Sequence, residues 1–444
     1  MRKSKKSLIE KLKKFNFTKP KIKLKARKRK FVHSQNRQQR DKNSSRLKFI
    51  ITNLITSRFL FIIFLLILFF FVAFIVSTLY KFHNLRAFDN PTSWDRNSRL
   101  NFVVLGIDQK DNNYKFVDAI VVISMSMKQN EVSIFAIDPD IRVLDDNGDY
   151  IEIRKLYNMK INGKSGVRNV IDEIEDLVAL NITKYIEVDR KDFMSLQPIF
   201  GNLKISLKQE VQDKDIVLSS GEFVLPKGDK SLNGSNAYNI LRINDNGADM
   251  RLSFQVEGLR NYLINLKSLK VLFKIFLHIK KFDCLETNFS KQEIWALFMF
   301  LRKINFDNIR YGFTKSTSLK YDEYHKKYPK IKSIDKDLEA VFIDYALVRE
   351  QARLEILNGT EQFGLANKYS RYFSNLGIRV VRTGNSLQPS DKTILFIKNV
   401  NLYPDTVEYI RSVFNDKIEI VEQDYKYKHI GDMVLVIGTD IDDN

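Results

Sequence analysis

The run FAIDPDIRV, residues 135–143, reads as a short apolar strand that stops at Asp138 and Asp140, set either side of Pro139, with Arg142 just beyond. Two carboxylates and a guanidinium delivered together to a strand end can line a pocket for a charged ligand. Aspartate is also an ordinary turn residue, so none of the three carries a function alone. Asp108 in LGIDQK and Asp118 in VDAIVV stand at the ends of similar apolar runs. Further along, NILRIN and ADMRLSFQ supply Arg242, Arg251 and Gln255. The five histidines (His33, His83, His278, His325, His429) are scattered, with neither metal-ligand spacing nor a Ser/His/Asp pattern. Zinc and serine-nucleophile chemistries therefore find no support. A single cysteine, Cys284, excludes an intramolecular disulfide.

The elements that must position these groups follow from hydrophobic patterning. From Leu100, the runs NFVVLG, DAIVVISMS and EVSIFAID are continuous, β-branched and of strand length. Such runs belong to strands buried on both faces. GVRNVIDEIEDLVAL has helical spacing, YIEVD and LKISL return to strand, and Ser231 to about Ile304 is mostly helical. The pattern predicts a three-layer α/β/α domain over 100–305, with helices on both sides of a central mixed sheet. The polar stretch KSTSLKYDEYHKKYPKIKSI marks 306–350 as a linker, and 351–440 reads as a small α/β domain.

Charge separates the N-terminal part from the rest. Of 73 Lys+Arg and 53 Asp+Glu, residues 1–58 hold 21 and two, so nearly the whole +20 lies in that tail. The remainder is close to neutral and shows no basic footprint for nucleic acid. Residues 59–80, FLFIIFLLILFFFVAFIVSTLY, are uncharged. As a helix they span about 33 Å, enough for a hydrocarbon core of roughly 30 Å. The expectation is a transmembrane helix with the basic tail cytoplasmic and everything after it outside, joined by a spacer over 81–99. A cleaved signal peptide would have a shorter apolar core and a shorter basic region. In SLKVLFKIFLHIKKF, residues 268–282, apolar side chains alternate with cations. It reads as a helix closing the core, with a membrane-surface helix as the competing reading.

In order and spacing, NFVVLGIDQK, VDAIVVIS, VSIFAIDPDIRV, SLNGSNAYNILRI and ADMRLSFQ resemble the LytR-CpsA-Psr family, over about residues 100–305. LEILNGTEQFGLA through VLVIGTD resembles the small C-terminal domain often attached to that family. The resemblance implies a membrane-bound enzyme that moves a glycopolymer from an undecaprenyl pyrophosphate carrier to peptidoglycan outside the cell. It also implies an apolar lipid pocket, and a pyrophosphate held by Mg²⁺ and arginines. By this resemblance Asp108 and Asp118 are the metal ligands, and Asp140, Arg242, Arg251 and Gln255 fall on catalytic positions. Lys110, Arg142, and Lys155 or Lys160 are further candidates for the pyrophosphate. The chain departs from the family pattern at Phe116, Pro139, Asn244 and Phe254, where arginines are usual, and at Asp138, where proline is. Those departures keep open a degenerate member that binds lipid-linked precursor or wall polymer without transferring it. Transcription attenuation, an older label for the family, fits poorly with a folded part outside the cell.

Overall fold

The computed structural model describes Phe69 and, from Arg99 to Ile441, all residues except 112–113, 145–147, 162–163, 219–220, 245–246 and 415–416. Chain contacts divide the protein into two units, Met1–Asp89 and Asn90–Asn444. The expected tail (1–58), span (59–80) and spacer (81–99) lie outside the described residues, apart from Phe69 and Arg99. Among the described residues, no helix is long and apolar enough to cross a membrane.

In the second unit, β1 (Arg99–Asp111), β2 (Tyr114–Ser126) and β3 (Glu131–Ile137) form an antiparallel meander. Two small hairpins follow, β4 (Arg142–Leu144) with β5 (Tyr150–Glu152) and β6 (Lys160–Ile161) with β7 (Lys164–Ser165). Between them runs a 3₁₀ segment, Ile153–Asn158. After α1 (Val167–Val178), β8 (Lys184–Asp189) joins β1 in parallel and leads into α2 (Arg190–Phe200). The next strands pair with one another outside the main sheet: β9 (Leu203–Leu207) with β12 (Gly228–Leu232), and β10 (Val211–Leu218) with β11 (Gly221–Leu225). Helices α3 (Gly234–Ile240), α4 (Ala248–Asn265) and α5 (Leu269–Leu277) follow, then the short edge strand β13 (Glu286–Thr287) and α6 (Lys291–Leu301).

The segment expected to link two domains is part of the first. β14 (Ile309–Phe313) pairs in parallel with β3 and completes the six-stranded mixed sheet β13-β8-β1-β2-β3-β14. Beyond it, β15 (Leu319–Tyr321) and β16 (Lys327–Pro329) make a hairpin, and α7 (Ile331–Phe342) packs on the sheet. The polar composition of 315–334 comes from the outer faces of these short elements, while Leu319, Ile334 and Leu338 are buried.

Alternation along the strands sends side chains to opposite faces. Val103, Leu105, Phe135 and Ile137 meet α1 and α7 on one side, while Phe102, Ile123, Val132 and Ile134 meet α4, α5 and α6 on the other. This is the three-layer α/β/α arrangement. After α8 (Tyr345–Glu350) comes a second, five-stranded sheet. Its strands are β17 (Arg353–Asn358), β18 (Arg379–Asn385), β19 (Ile394–Ile397), β20 (Glu419–Val421) and β21 (Met433–Ile437), in the order β18-β17-β21-β19-β20. Helices α9 (Leu365–Ser374) and α10 (Pro404–Val413) accompany it.

A charged rim on the central sheet as the candidate functional site

The β1–β2 hairpin is irregular where the chemistry collects. Its register passes from Gly106↔Ala119 to Ile107↔Val117, leaving Asp118 as an unpaired bulge residue. A bulge bends its strand and re-aims a side chain. Asp118 thereby stands at the rim between the two helical layers and is reached from both. Arg154, from the 3₁₀ segment, donates to its Oδ1, and Arg242, just after α3, donates to its Oδ2 at 2.5 Å. The same Arg242 Nη2 donates to Asp108 Oδ2 at 2.8 Å. Asp108 and Asp118 therefore share one guanidinium group.

Arg242 is aimed by its own helix. Its Nη1 donates to the Tyr238 hydroxyl at 3.0 Å, and its guanidinium lies 5.2 Å from the centre of that ring. Gln255 of α4 is buried and donates to the carbonyl of Leu241 at 3.0 Å. It holds the backbone that carries Arg242 and makes no contact with the carboxylates, so its place is that of a positioning residue.

The turn after β3 builds the other half. Asp138, at 1% exposure, is effectively out of water. Its Oδ1 accepts from the Asp140 amide and from Arg251 Nη2, each at 3.1 Å, and its Oδ2 accepts from Lys327 Nζ at 2.6 Å. Asp140 accepts from Lys327 at 3.2 Å and from Arg154 at 3.1 Å, with Arg251 at 3.5 Å. Burial pushes the Asp140 carboxyl up, but Lys327, Arg251 and Arg154 outweigh it and hold it below its ordinary range. Burial lowers the Lys327 ammonium, and the two aspartates more than reverse this, leaving it raised. Four carboxylates and four cations thus form one continuous network.

The structure brings the expected Asp108, Asp118, Asp140, Arg242 and Arg251 together in this network. It places the remaining candidates elsewhere. Arg142 turns away to Glu152 (3.0 Å) and the Tyr150 carbonyl (2.9 Å), on the wall of a separate groove of about 600 Å³ with Leu144, Tyr150 and Tyr328. Lys155 pairs with Glu152 at 2.8 Å, and Lys160 is exposed on β6. The Lys110 side chain is outside the described residues, although its backbone is in β1. Of the positions lacking arginine, Phe254 is core, Asn244 accepts from Arg251 through its Oδ1, and Phe116 lies 6.0 Å below the Arg154 guanidinium.

Arg154 and Lys327 escaped the sequence reading, which set Asp138 at the strand end without its partners Lys327 and Arg251. Arg154 had a visible signal: in IRKLYN the buried Ile153 and Leu156 set the phase of a 3₁₀ turn, which presents Arg154 differently from Lys155. Lys327 had none, because it lies 189 residues from Asp138 and inside a polar run. Among the described residues, no group of three or more His, Cys, Asp or Glu converges as a metal cluster.

The fold is a mixed α/β/α sheet with acids, guanidinium groups and one ammonium gathered on one rim. The LytR-CpsA-Psr family model matches residues 70–339, and the chain belongs to that family. Residues 351–440 match a second model, the LytR cell envelope-related transcriptional attenuator. The polyisoprenyl-teichoic acid–peptidoglycan teichoic acid transferase TagV of Bacillus subtilis (strain 168) is 24% identical over 156 residues, 34% of this chain and 39% of its own length. The chain thus matches about two fifths of that curated relative. The crystal structure of B. subtilis TagV is similar at TM-score 0.46 and 20% identity, over 54% of this chain and 94% of that one. TagT bound to LIIa-WTA gives 0.43 and 19%, over 55% and 93%.

Proposed function

We propose that this protein is a membrane-anchored transferase of the cell envelope that moves a glycopolymer from a polyprenyl pyrophosphate carrier to peptidoglycan. In this reading the apolar stretch 59–80 anchors the chain, with its basic tail cytoplasmic and the folded part outside. Membership of the family and the likeness to a teichoic acid transferase support it. The observation that carries it is the sharing of Arg242 between Asp108 and Asp118 beside a buried Asp138–Lys327–Arg251 cluster.

Attack by an acceptor hydroxyl on the pyrophosphate breaks a P–O bond and leaves charge on the departing phosphate, which preorganised cations stabilise. Arg154 and Arg242 are the partly exposed cations at the rim and are assigned to the phosphates. Arg251 and Lys327 sit deeper and fix Asp138 and Asp140. Asp140, surrounded by three cations, is assigned to orienting them. A Mg²⁺ ion suits the donor set, since this ion is bound by one or two carboxylates together with phosphate oxygens. Asp108 and Asp118 would hold it, and it would supply positive charge beside the pyrophosphate.

The test is polymer release from a lipid-pyrophosphate donor by the full-length chain in detergent with Mg²⁺. Asp118→Ala and Arg242→Ala are expected to slow it by about 10²- to 10³-fold each. Absence of turnover, or full turnover in both variants, removes the proposal.

One observation favours a second reading, a non-catalytic binder of lipid-linked precursor. The four carboxylates of the network already pair all four of its cations, and Phe116, Pro139, Asn244 and Phe254 add none. Tight binding of polyprenyl phosphate by calorimetry, without turnover, selects that alternative.

A further inference from the structure

Helix α5 is apolar on two opposite faces. Val271 and Ile275 enter the core beneath the sheet, as a helix closing the domain requires. Leu269, Phe273 and Leu277, spaced at i, i+4 and i+8, are 75%, 63% and 58% exposed. At 3.6 residues per turn these three positions fall within about 80° of one another, on the side away from Val271 and Ile275. Isolated exposed leucines need no explanation, but three large side chains in one stripe do.

The charge around the stripe says what covers it. Between Lys267 and Phe282 there are five lysines (Lys267, Lys270, Lys274, Lys280, Lys281) and no acid. Lys270, Lys280 and Lys281 are exposed, at either end of the helix. Lys274 differs, since its Nζ donates to the Pro198 carbonyl at 2.8 Å and ties α5 to the end of α2. This acid-free run of lysines is local, since the folded part as a whole is nearly neutral and the exposed Asp283 and Glu286 follow it directly. A stripe of Leu and Phe flanked by lysine, on a helix already anchored by its opposite face, has the chemistry of a helix lying in a bilayer interface. Lysines near an anionic lipid surface attract it, whereas a protein partner for this stripe would have to supply acids as well as apolar side chains.

We propose that α5 is a membrane-contact element: Leu269, Phe273 and Leu277 enter the headgroup boundary of an anionic bilayer, and Lys270, Lys280 and Lys281 bind its lipid phosphates. The contact would hold the domain against the bilayer through a surface separate from the charged rim. It goes beyond the transferase reading and does not depend on turnover.

The experiment is hydrogen exchange of residues 268–278 in the full-length chain, reconstituted in nanodiscs of phosphatidylcholine with and without phosphatidylglycerol. Slower exchange in the anionic discs than in the zwitterionic ones is expected, and high salt should reduce the difference. Changing Leu269, Phe273 and Leu277 together to serine should abolish it. Changing Lys270, Lys280 and Lys281 to glutamine should weaken the contact by about fivefold for each lysine that lies at the surface. Because all six side chains are exposed, the variants should melt with the parent, which the same exchange data on α4 report. Equal protection in both kinds of disc would mean that the chain itself or a second copy covers the stripe. Protection rising with protein concentration would point to the second copy. Either result, or no protection at all, overturns the proposal.

Discussion

At the scale of residues, the rim separates exposed cations from buried ones, and the two kinds answer differently to substitution. Arg154 touches Asp118 and Asp140 while remaining part-exposed. Arg154→Ala should therefore change stability little, as partly exposed pairs contribute about 0–1 kcal/mol. In the proposed reaction it should slow transfer by about 10²- to 10³-fold. Lys155→Ala, which loses only the contact with Glu152, should leave the rate unchanged, and the paired assay checks the assignment. Lys327 is a different case because Asp138 is buried. Lys327→Met leaves that carboxylate with Arg251 and the Asp140 amide and should cost about 3 kcal/mol, measured by denaturant unfolding.

The same cluster sets a dependence on acid and base. Asp140 is held below its ordinary value of 3.8, so its contribution is present above that pH and is lost as the pH falls through its lower folded value. The stability difference between the parent and Asp140→Asn should be full near neutrality, begin to narrow below about pH 3.9 and close only below the lower folded value. Lys327 is raised above 10.5, so its contribution is complete below that pH and lost as pH rises further. A difference that persisted unchanged into strong acid would show that Asp140 does not carry this charge.

At the scale of elements, a single irregularity matters most. With regular β1–β2 pairing, Asp118 would follow the alternation into one helical layer, out of reach of either Arg154 or Arg242. The bulge next to Gly106 turns it to the rim, and a Cβ placed on Gly106 would stand 2.9 Å from the Ala119 Cβ. Gly106→Val should therefore cost about 1–3 kcal/mol by overpacking. It should also impair the site more than its stability loss explains, which comparison with an equally destabilised core variant would reveal. The β15–β16 hairpin is the second positioning element. Strand alternation hands Lys327 to the carboxylates and Tyr328 to the outer groove, where its ring meets Tyr150 at 4.9 Å.

At the scale of the whole folded unit, the C-terminal sheet shares a core with the first domain. One apolar cluster runs from the central sheet through Leu338, Phe342 and Leu347 to Leu354 and Ile356. Arg371 of α9 pairs with Asp335 at 2.7 Å and donates to the carbonyls of Asp176 and Leu177 at the end of α1. Arg99 and Asp344 form a nearly buried pair at 2.6 Å. The two domains should therefore melt in one calorimetric transition, and Arg99→Ala, which leaves Asp344 with only the neutral Gln129 and Ala346 donors, should cost about 3 kcal/mol. Two well-separated transitions would contradict this coupling. Near the same junction, burial pushes the Glu175 carboxyl up to about 7, against the Ile182 amide and Arg168. A folded value above the unfolded 4.5 means that stability falls as pH rises between the two. Glu175→Gln should gain stability at pH 8 and nothing at pH 4, as thermal melts at the two pH values would show.

Much of this was legible in the sequence because it depends on local order. Continuous apolar runs required strands covered on both faces, and the succession of strands and helices required layers. The family resemblance singled out Asp108, Asp118, Asp140, Arg242 and Arg251, whose side chains the fold brings together. What only the tertiary structure decided is which distant cations complete the rim. Arg154 needed the phase of a 3₁₀ turn, and Lys327 needed a hairpin inside a stretch whose polarity reads as a linker. The exposed face of α5 likewise became distinct only once Val271 and Ile275 were seen to occupy the core. The physical reason is common to all three: hydrophobic periodicity specifies that a segment is buried and on which period, but not which remote segment lies against it, and charge pairing is settled by that remote contact.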